Sequence, residues 1–350
     1  MPEVTTTESP SERAGITPLR GHGRIDVHHH LGTPLFANFL ASHPSDRIFP
    51  PVTWRVDQAL EDMDAGGVAT AVLSQFPPYH LGSAADRRSV ARDLNEAAAR
   101  HASDYPGRFG LFTCLPLPSL DDSLAEIAYG FDVLGADGVA IVTSVDNKWL
   151  GHPYFEPLYE ELNRRKAIVY VHPYTPACCT GLVPEIPEYI IEYGTDTTRA
   201  IGSLIWSGTT ARYPDMRFIL SHGGGTMPFL IERFFAGTSA EVVPGIVTKG
   251  KSPPFVPAQP PQGILRELRR LYYDTAQCSN PIALRALRDV VLPSQILFGS
   301  DYWYRTSVET ARGLNTAAVF SEPELEAIER LNALALFGGH PGSRERAKVD

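Results

Sequence analysis

The chain has 350 residues, of which 43% are hydrophobic and 20% charged, a composition typical of a folded globular protein. Its net charge is −9, from 31 Lys and Arg against 40 Asp and Glu, and it has no Lys- or Arg-rich run, so we expect no nucleic-acid partner. No stretch approaches 18 uninterrupted apolar residues, so we expect no membrane association. The 4 cysteines do not suggest a disulfide framework, and a reduced, cytoplasmic protein is expected.

Eight short apolar runs recur along the chain, each bounded by turn residues. They lie at 24–30, 69–75, 109–115, 138–143, 168–172, 218–222, 271–275 and 296–300. Each run is mostly apolar on both faces, as in parallel strands that are buried on both sides. Helical patterns lie between them, at 59–63, 92–102, 158–165 and 196–208. Eight strand–helix units in series predict an α/β fold, a (β/α)8 TIM barrel.

The barrel is predicted to span residues 23–340. Residues 1–22, rich in Ser, Thr, Glu and Pro, are expected to form a disordered N-terminal tail, and residues 341–350 a C-terminal tail. Two connections are long, 31–57 after the first strand and 227–265 after the sixth. We expect both to be insertions that form loops or lids over one end of the barrel, and to shape specificity together with the loops 76–90 and 176–195.

Polar residues stand at the ends of four predicted strands, where the active sites of (β/α)8 barrels are built. In the first strand, residues two apart share a face, so His28 and His30 point the same way. His29, between them, points to the opposite face and is expected to pack there. The strand-end residues are His28 and His30 of the first strand, His172 of the fifth, His222 of the sixth and Asp301 of the eighth. Together they predict a metal site. Spacing alone does not separate His222 from the ligands.

Motifs between residues 24 and 337 resemble those of the amidohydrolase superfamily. They are RIDVHHH, ALEDMDAGGV, RFGLFTCLPLP, VHPYTP, DTTRAI, FILSHGGGTMPFL, LYYDTA, ILFGSDY and NALALFG. The resemblance is to its branch of metal-dependent, non-oxidative decarboxylases, which includes aminocarboxymuconate semialdehyde decarboxylase and 6-methylsalicylate decarboxylase. It implies an amidohydrolase-type barrel in which His28, His30, His172 and Asp301 bind the metal and His222 is catalytic or supports the ligands.

A single metal ion is expected. Binuclear amidohydrolases bridge two metals with a carbamylated lysine at the end of strand 4, and the corresponding run here, 138–143, contains no lysine. Three imidazoles and one carboxylate suit Zn²⁺. The resemblance also allows Mn²⁺, which other members of the family use. We expect no organic cofactor.

Three further residues are predicted to bind substrate. Arg47 and Arg233 match positions that clamp a substrate carboxylate in the semialdehyde decarboxylase, where the counterpart of Arg233 comes from the partner subunit; each would otherwise be a surface residue. Arginine suits this role because it donates two parallel hydrogen bonds to a carboxylate. Trp303, in the aromatic cluster 302–304, is predicted to stack on a planar substrate. Arg199, in DTTRAI, is interpreted as a structural helix residue.

A homodimer, or a dimer of dimers, is also expected. The segment 227–265 is rich in Pro and Gly and carries many apolar residues that need a surface to cover them. The family resemblance points to the same assembly, because Arg233 would then complete the active site of the neighbouring subunit.

The expected reaction is loss of CO₂ from an aromatic carboxylic acid with an ortho-hydroxy or amino group. Asp301 is the first candidate for delivering a proton to the ring carbon, with His222 supporting it. Gly225 stands where the γ-resorcylate type carries an acidic residue, which argues against a dihydroxybenzoate substrate.

Two alternatives stay open: a mononuclear metal-dependent hydrolase of an amide, ester or lactone, and a metal-binding scaffold without catalysis. The missing strand-4 lysine and the motifs favour decarboxylation.

Overall fold

Eight parallel strands form a nearly closed barrel in the computed structural model, which describes residues 23–43, 53–77, 79–235 and 263–343. Each strand pairs with the next in chain order. The last and first strands also meet, because the Val27 amide donates to the Phe298 carbonyl at 3.0 Å and the Asp301 amide to the His28 carbonyl at 2.9 Å. The strands are β1 Arg24–His30, β2 Val68–Ser74, β3 Phe109–Cys114, β4 Gly138–Val142, β5 Ile168–His172, β6 Arg217–Leu220, β7 Tyr272–Asp274 and β8 Ile296–Leu297. The predicted (β/α)8 fold is confirmed.

Helices fill the connections between the strands. They are α1 Pro34–Ser42, α2 Val56–Ala65, α3 Ala84–Asp104, α4 Leu120–Asp132, α5 Glu156–Arg164, α6 Glu188–Trp206, α7 Thr209–Arg212, α8 Ile231–Phe234, α9 Ile264–Leu268, α10 Pro281–Val290, α11 Ser307–Ala317, α12 Glu322–Glu326 and α13 Asn332–Phe337. A hairpin of Ser144–Val145 and Lys148–Trp149 follows β4, and a π-helical turn, Ala327–Leu331, joins α12 to α13. Within the described ranges, none of these helices combines the length and the apolar character needed to cross a membrane.

All four predicted loops contain helix: the short α8 lies in 227–265, and longer helices lie in or begin in the other three. In the first, α1 begins at Pro34, and the Thr33 side chain accepts the Phe36 amide at 3.1 Å. In the second, α3 begins at Ala84 behind a capping box. In the third, α6 begins at Glu188. The first turns of α3 and α6 are largely exposed, so neither shows the helical spacing of buried apolar residues: α3 begins with small and charged residues, and α6 with the exposed apolar run Tyr189–Ile191.

The strand residues are almost all buried, which explains the mostly apolar runs in the sequence; β1 is the exception, because it is buried but largely polar. All residues of β1, β3, β4 and β5 are buried. Inside the barrel, the Tyr170 ring stacks on Phe112 with centroids 5.5 Å apart and lies 5.2 Å from the His28 ring. This aromatic layer forms the floor beneath the carboxyl ends of the strands.

The predicted tails fall mostly outside the described residues. Residues 1–22 and 344–350 lie outside them, as does 236–262 of the second insertion. Pro341 is buried, and the Gly342 amide donates to the Asp137 carboxylate at 2.9 Å. Packing against the barrel therefore continues past residue 340, where the domain was expected to end.

A buried ion pair joins the first strand to the last helical segment, and breaking it should destabilise the fold. Arg24 is 0% exposed and donates to Glu329 Oε1 at 2.8 Å and to the Gly66 carbonyl at 2.6 Å. We predict that Glu329→Ala lowers the free energy of unfolding by about 3–5 kcal/mol, because the buried Arg24 charge loses the Glu329 carboxylate. Denaturant unfolding measures this. Arg88→Ala, which breaks the exposed pair with Asp122, is the control and should have little effect. Equal losses would contradict the prediction.

Candidate active site and metal centre

The five predicted strand-end residues converge at the carboxyl end of the barrel. The Nε2 atom of His28 lies 3.2 Å from Nε2 of His30 and 3.1 Å from Oδ1 of Asp301. His30 Nε2 lies 3.2 Å from the same Asp301 oxygen. One ligating atom from each of His28, His172, His222 and Asp301 lies within 4.8 Å of the others. We call these five residues the cluster.

Two cluster residues owe their position to left-handed backbone turns beyond the strand ends. His222 has φ +55° and Asp301 has φ +69°, which for residues other than glycine costs on the order of 1–3 kcal/mol. Backbone hydrogen bonds hold both turns: the His222 amide donates to Asp274 Oδ1 at 2.8 Å, and the Asp301 amide donates to the His28 carbonyl at 2.9 Å.

Asp274, the last residue of β7, was not among the predicted site residues. Its Oδ2 lies 2.8 Å from His28 Nδ1, and its Oδ1 accepts the amides of His222 at 2.8 Å and Ala276 at 3.0 Å. A carboxylate that accepts a hydrogen bond from Nδ1 of His28 keeps the ring proton on Nδ1, so that Nε2 is available to bind a metal. The available signal was an acidic residue at the end of a seventh strand, inside the motif LYYDTA.

The electrostatics of the cluster favour a positive charge on His28. Burial lowers the pKa of His28, but Asp274 and Asp301 outweigh it and raise that pKa to about 10. Burial and the neighbouring histidines hold the pKa of His172 well below its ordinary value. Burial raises the pKa of Asp301, but His28 and His222 outweigh burial and hold that pKa well below the ordinary value. A cation can supply the required charge in place of the His28 proton.

The donor set fits a divalent metal ion. His28 turns Nε2 inward because Asp274 engages Nδ1, and His172 does the same because its Nδ1 lies 2.8 Å from the Pro173 carbonyl. Asp301 is 2% exposed and adds a carboxylate oxygen. Imidazole nitrogens with one carboxylate are ligands typical of Zn²⁺. The residues therefore fit one metal ion, and both His30 and His222 lie close enough to complete its ligand set.

Aromatic rings form a wall beside the cluster. Phe76, just after β2, stacks on His172 with centroids 5.0 Å apart and 21° between the planes. Trp303 and Tyr304 lie 6.0 and 5.8 Å from the His30 ring. Tyr193 of α6 lies 6.0 Å from the His172 ring. We call these four the aromatic wall. Trp303 was predicted at this place, whereas Phe76 and Tyr193 were not.

The predicted arginines are not part of the cluster. Arg47 lies outside the described residues, and Arg233 is exposed on α8. Arg199 lies on α6, where it pairs with Glu192 at 3.4 Å and Asp196 at 3.5 Å, as expected of a structural helix residue.

Close packing explains why residue 225 is a glycine. Gly225 has φ +66°, and a Cβ atom at this position would lie 2.0 Å from the Gly194 carbonyl oxygen of α6. No acidic side chain fits there without moving α6. The two preceding glycines come close to Cys278 and Tyr273. The glycine run thus serves the packing of this turn against α6 and β7.

The sequence profile of a family described as Amidohydrolase matches residues 25–339. This chain belongs to the amidohydrolase family. One relative, the 6-methylsalicylic acid decarboxylase of Penicillium expansum, is 33% identical over 93% of this amidohydrolase and 99% of the relative.

Two solved structures share the fold of this amidohydrolase. The 2,6-dihydroxybenzoate decarboxylase from Rhizobium has a TM-score of 0.76 at 21% identity, over 91% and 99% of the two chains. A dihydroxybenzoic acid decarboxylase from Polaromonas sp., with bound manganese, has a TM-score of 0.73 at 20% identity, over 91% and 97%.

Proposed function

We propose that this amidohydrolase is a metal-dependent, non-oxidative decarboxylase of an aromatic carboxylic acid with an ortho-hydroxy or amino group. The observation that carries the proposal is the aromatic wall standing directly beside the cluster. A salicylate-type acid offers its carboxylate and neighbouring oxygen to the cluster and its flat ring to the wall. The similarity to the Penicillium decarboxylase over nearly its whole length supports the same substrate class.

The proposed cofactor is one divalent ion held by His28, His30, His172 and Asp301. Zn²⁺ is the first choice because the donors are mostly imidazole nitrogens. Mn²⁺ is the alternative, supported by the manganese of the Polaromonas structure. When bound, the ion would hold the substrate carboxylate and adjacent oxygen and polarise the ring. No organic cofactor is proposed.

His222 and Asp301 are proposed to move the proton. The ring carbon that bears the carboxylate gains a proton, the C–C bond breaks, its electron pair returns to the ring and CO₂ leaves. Asp301 is the candidate donor, and His222 Nε2, 3.5 Å from Asp301 Oδ2, resupplies the proton. Despite burial, His28 and His222 hold the pKa of Asp301 well below its ordinary value, so this carboxyl is ionised at rest and must receive a proton before it can donate one.

The assembly is proposed to be a homodimer, alone or within a dimer of dimers, in which Arg233 binds the substrate carboxylate in the partner's site. The turn before α8 exposes Phe229 to 63% and Leu230 to 37%, large apolar side chains that a partner would cover. Arg47 and Trp303 are proposed to bind substrate within their own subunit. The four free cysteines support a cytoplasmic location.

Mixing two inactive variants tests the dimer. If Arg233 acts across the interface, a dimer of one Arg233→Ala and one His222→Ala subunit has one site with both lesions and one with neither. Co-expression should then restore about one quarter of wild-type activity, since about half of randomly formed dimers are mixed. The control pair is His28→Ala with His222→Ala, which should restore nothing because both residues serve their own site. No recovery in the Arg233 pair, or a monomer by light scattering, would contradict the proposal.

The reaction itself is tested with a panel of salicylate-type acids. CO₂ release and the ring absorbance are followed with metal-loaded protein, and amides, esters and lactones are tested in parallel. We expect CO₂ from at least one ortho-hydroxy or amino acid and no hydrolysis. Hydrolysis without CO₂ release would contradict the proposal in favour of the mononuclear hydrolase.

A further inference from the structure

Three strained residues meet at the carboxylate of Asp301. Besides Asp301 and His222, the third is Gln277, in the turn after β7, with φ +51°. Seven non-glycine residues of the described ranges have such a positive φ, so three of the seven belong to this one spot. Strain of this kind persists where the surrounding structure enforces it, and it is concentrated at functional sites.

The turn that carries Gln277 is fixed to β7 and β8. The Ala276 amide donates to Asp274 Oδ1 at 3.0 Å, and the Gly299 amide donates to Thr275 Oγ1 at 3.1 Å. These bonds hold the two residues before Gln277 and thereby aim its side chain at the cluster.

Gln277 contacts one particular oxygen of Asp301. The residue is exposed, yet its Nε2 donates to Asp301 Oδ2 at 2.5 Å. The other oxygen, Oδ1, faces His28 Nε2 at 3.1 Å and His30 Nε2 at 3.2 Å. The nitrogen of the amide must face the carboxylate, because an ionised carboxylate only accepts hydrogen bonds. The amide therefore engages the oxygen that does not face these two histidines.

We infer that Gln277 is a positioning residue for Asp301: it holds Oδ2 so that Oδ1 stays directed at the metal-binding histidines. The inference rests on the metal centre of the proposed function and deepens it. Without the amide, the carboxylate is free to turn toward His222, which lies 3.5 Å from Oδ2. Loss of such an outer hydrogen-bond partner typically lowers metal affinity or activity by about 10–100-fold.

Metal affinity and stability, measured separately, test the inference. Gln277→Met keeps the length of the side chain without the amide, and Gln277→Gly removes the side chain and relieves the left-handed backbone. We expect both variants to bind Zn²⁺ about 10–100-fold more weakly in competition with a chromophoric chelator. We also expect the metal-free Gly variant to melt no lower than the wild type. A purely structural role would instead leave the metal affinity unchanged or lower it only together with the melting temperature.

The control is Asn147→Gly. Asn147 is also exposed and left-handed, with φ +58°, but it lies in the hairpin after β4 and accepts the Cys178 amide at 2.9 Å. Its Zn²⁺ affinity should equal that of the wild type. Wild-type affinity in both Gln277 variants would overturn the inference. A wild-type protein that binds no Zn²⁺ would overturn the metal centre and the inference with it. Decarboxylase activity is not part of the measurement, so failure of the proposed reaction does not affect its outcome.

Discussion

Replacing His28 by alanine is expected to remove the metal and essentially all activity. His28 is buried at the centre of the cluster, between Asp301 on its Nε2 side and Asp274 on its Nδ1 side. Its loss removes a ligand and leaves two buried carboxylates without the charge that they favour. Elemental analysis of purified protein should give close to one metal per chain in the wild type and almost none in His28→Ala.

His29→Gln is the matched control for this experiment. His29 lies on the same strand but faces away from the cluster, with Nδ1 3.1 Å from Asp26 and its ring stacked on Tyr302 at 4.5 Å. This variant should keep the metal. Metal retained in His28→Ala, or two metals per chain in the wild type, would contradict the proposed ligand set.

His222→Ala is expected to keep its metal and lose about 10²–10⁴-fold in kcat, the usual contribution of a general acid or base. The result matters because the geometry alone groups His222 with the candidate ligands: its ligating atom lies within 4.8 Å of those of His28, His172 and Asp301. The assignment of His222 to proton transfer and of His30 to the metal is therefore a proposal that this variant tests.

Metal analysis of His222→Ala and His30→Ala shows which of these two histidines binds the metal. We expect metal in His222→Ala and none in His30→Ala. The reverse result would make His222 the ligand and remove His30 from the set. Unchanged kcat in His222→Ala would leave His222 without a role in the chemistry.

The barrel could be predicted because its strands are buried on both faces and, apart from the largely polar β1, form distinct apolar runs. The helix starts at Ala84 and Glu188 could not be predicted in the same way, because their first turns are exposed. A capping box marks the start of α3, whereas α6 follows Pro187 without a side-chain cap. The end of the sixth strand was predicted too late, at His222. In the structure β6 ends at Leu220, and His222 has a left-handed backbone conformation two residues later.

The cluster was predictable because one rule, polar residues at the carboxyl ends of barrel strands, selects its members. The same rule would have included Asp274, whose contact with His28 depends on how β7 lies relative to β1. Gln277 and Phe76 could not be found this way. Both lie in loops, and their approach to Asp301 and His172 follows from turn conformation, which no periodic pattern encodes.

The most direct test of decarboxylation uses a salicylate-type acid labelled with carbon-13 in the carboxylate, incubated in D₂O with the metal-loaded protein. We predict that all of the label appears as CO₂ and that the product carries a single deuterium at the ring carbon that held the carboxylate, with both signals abolished by a chelator. Label that stays on the ring, or a deuterium-free product, would contradict it.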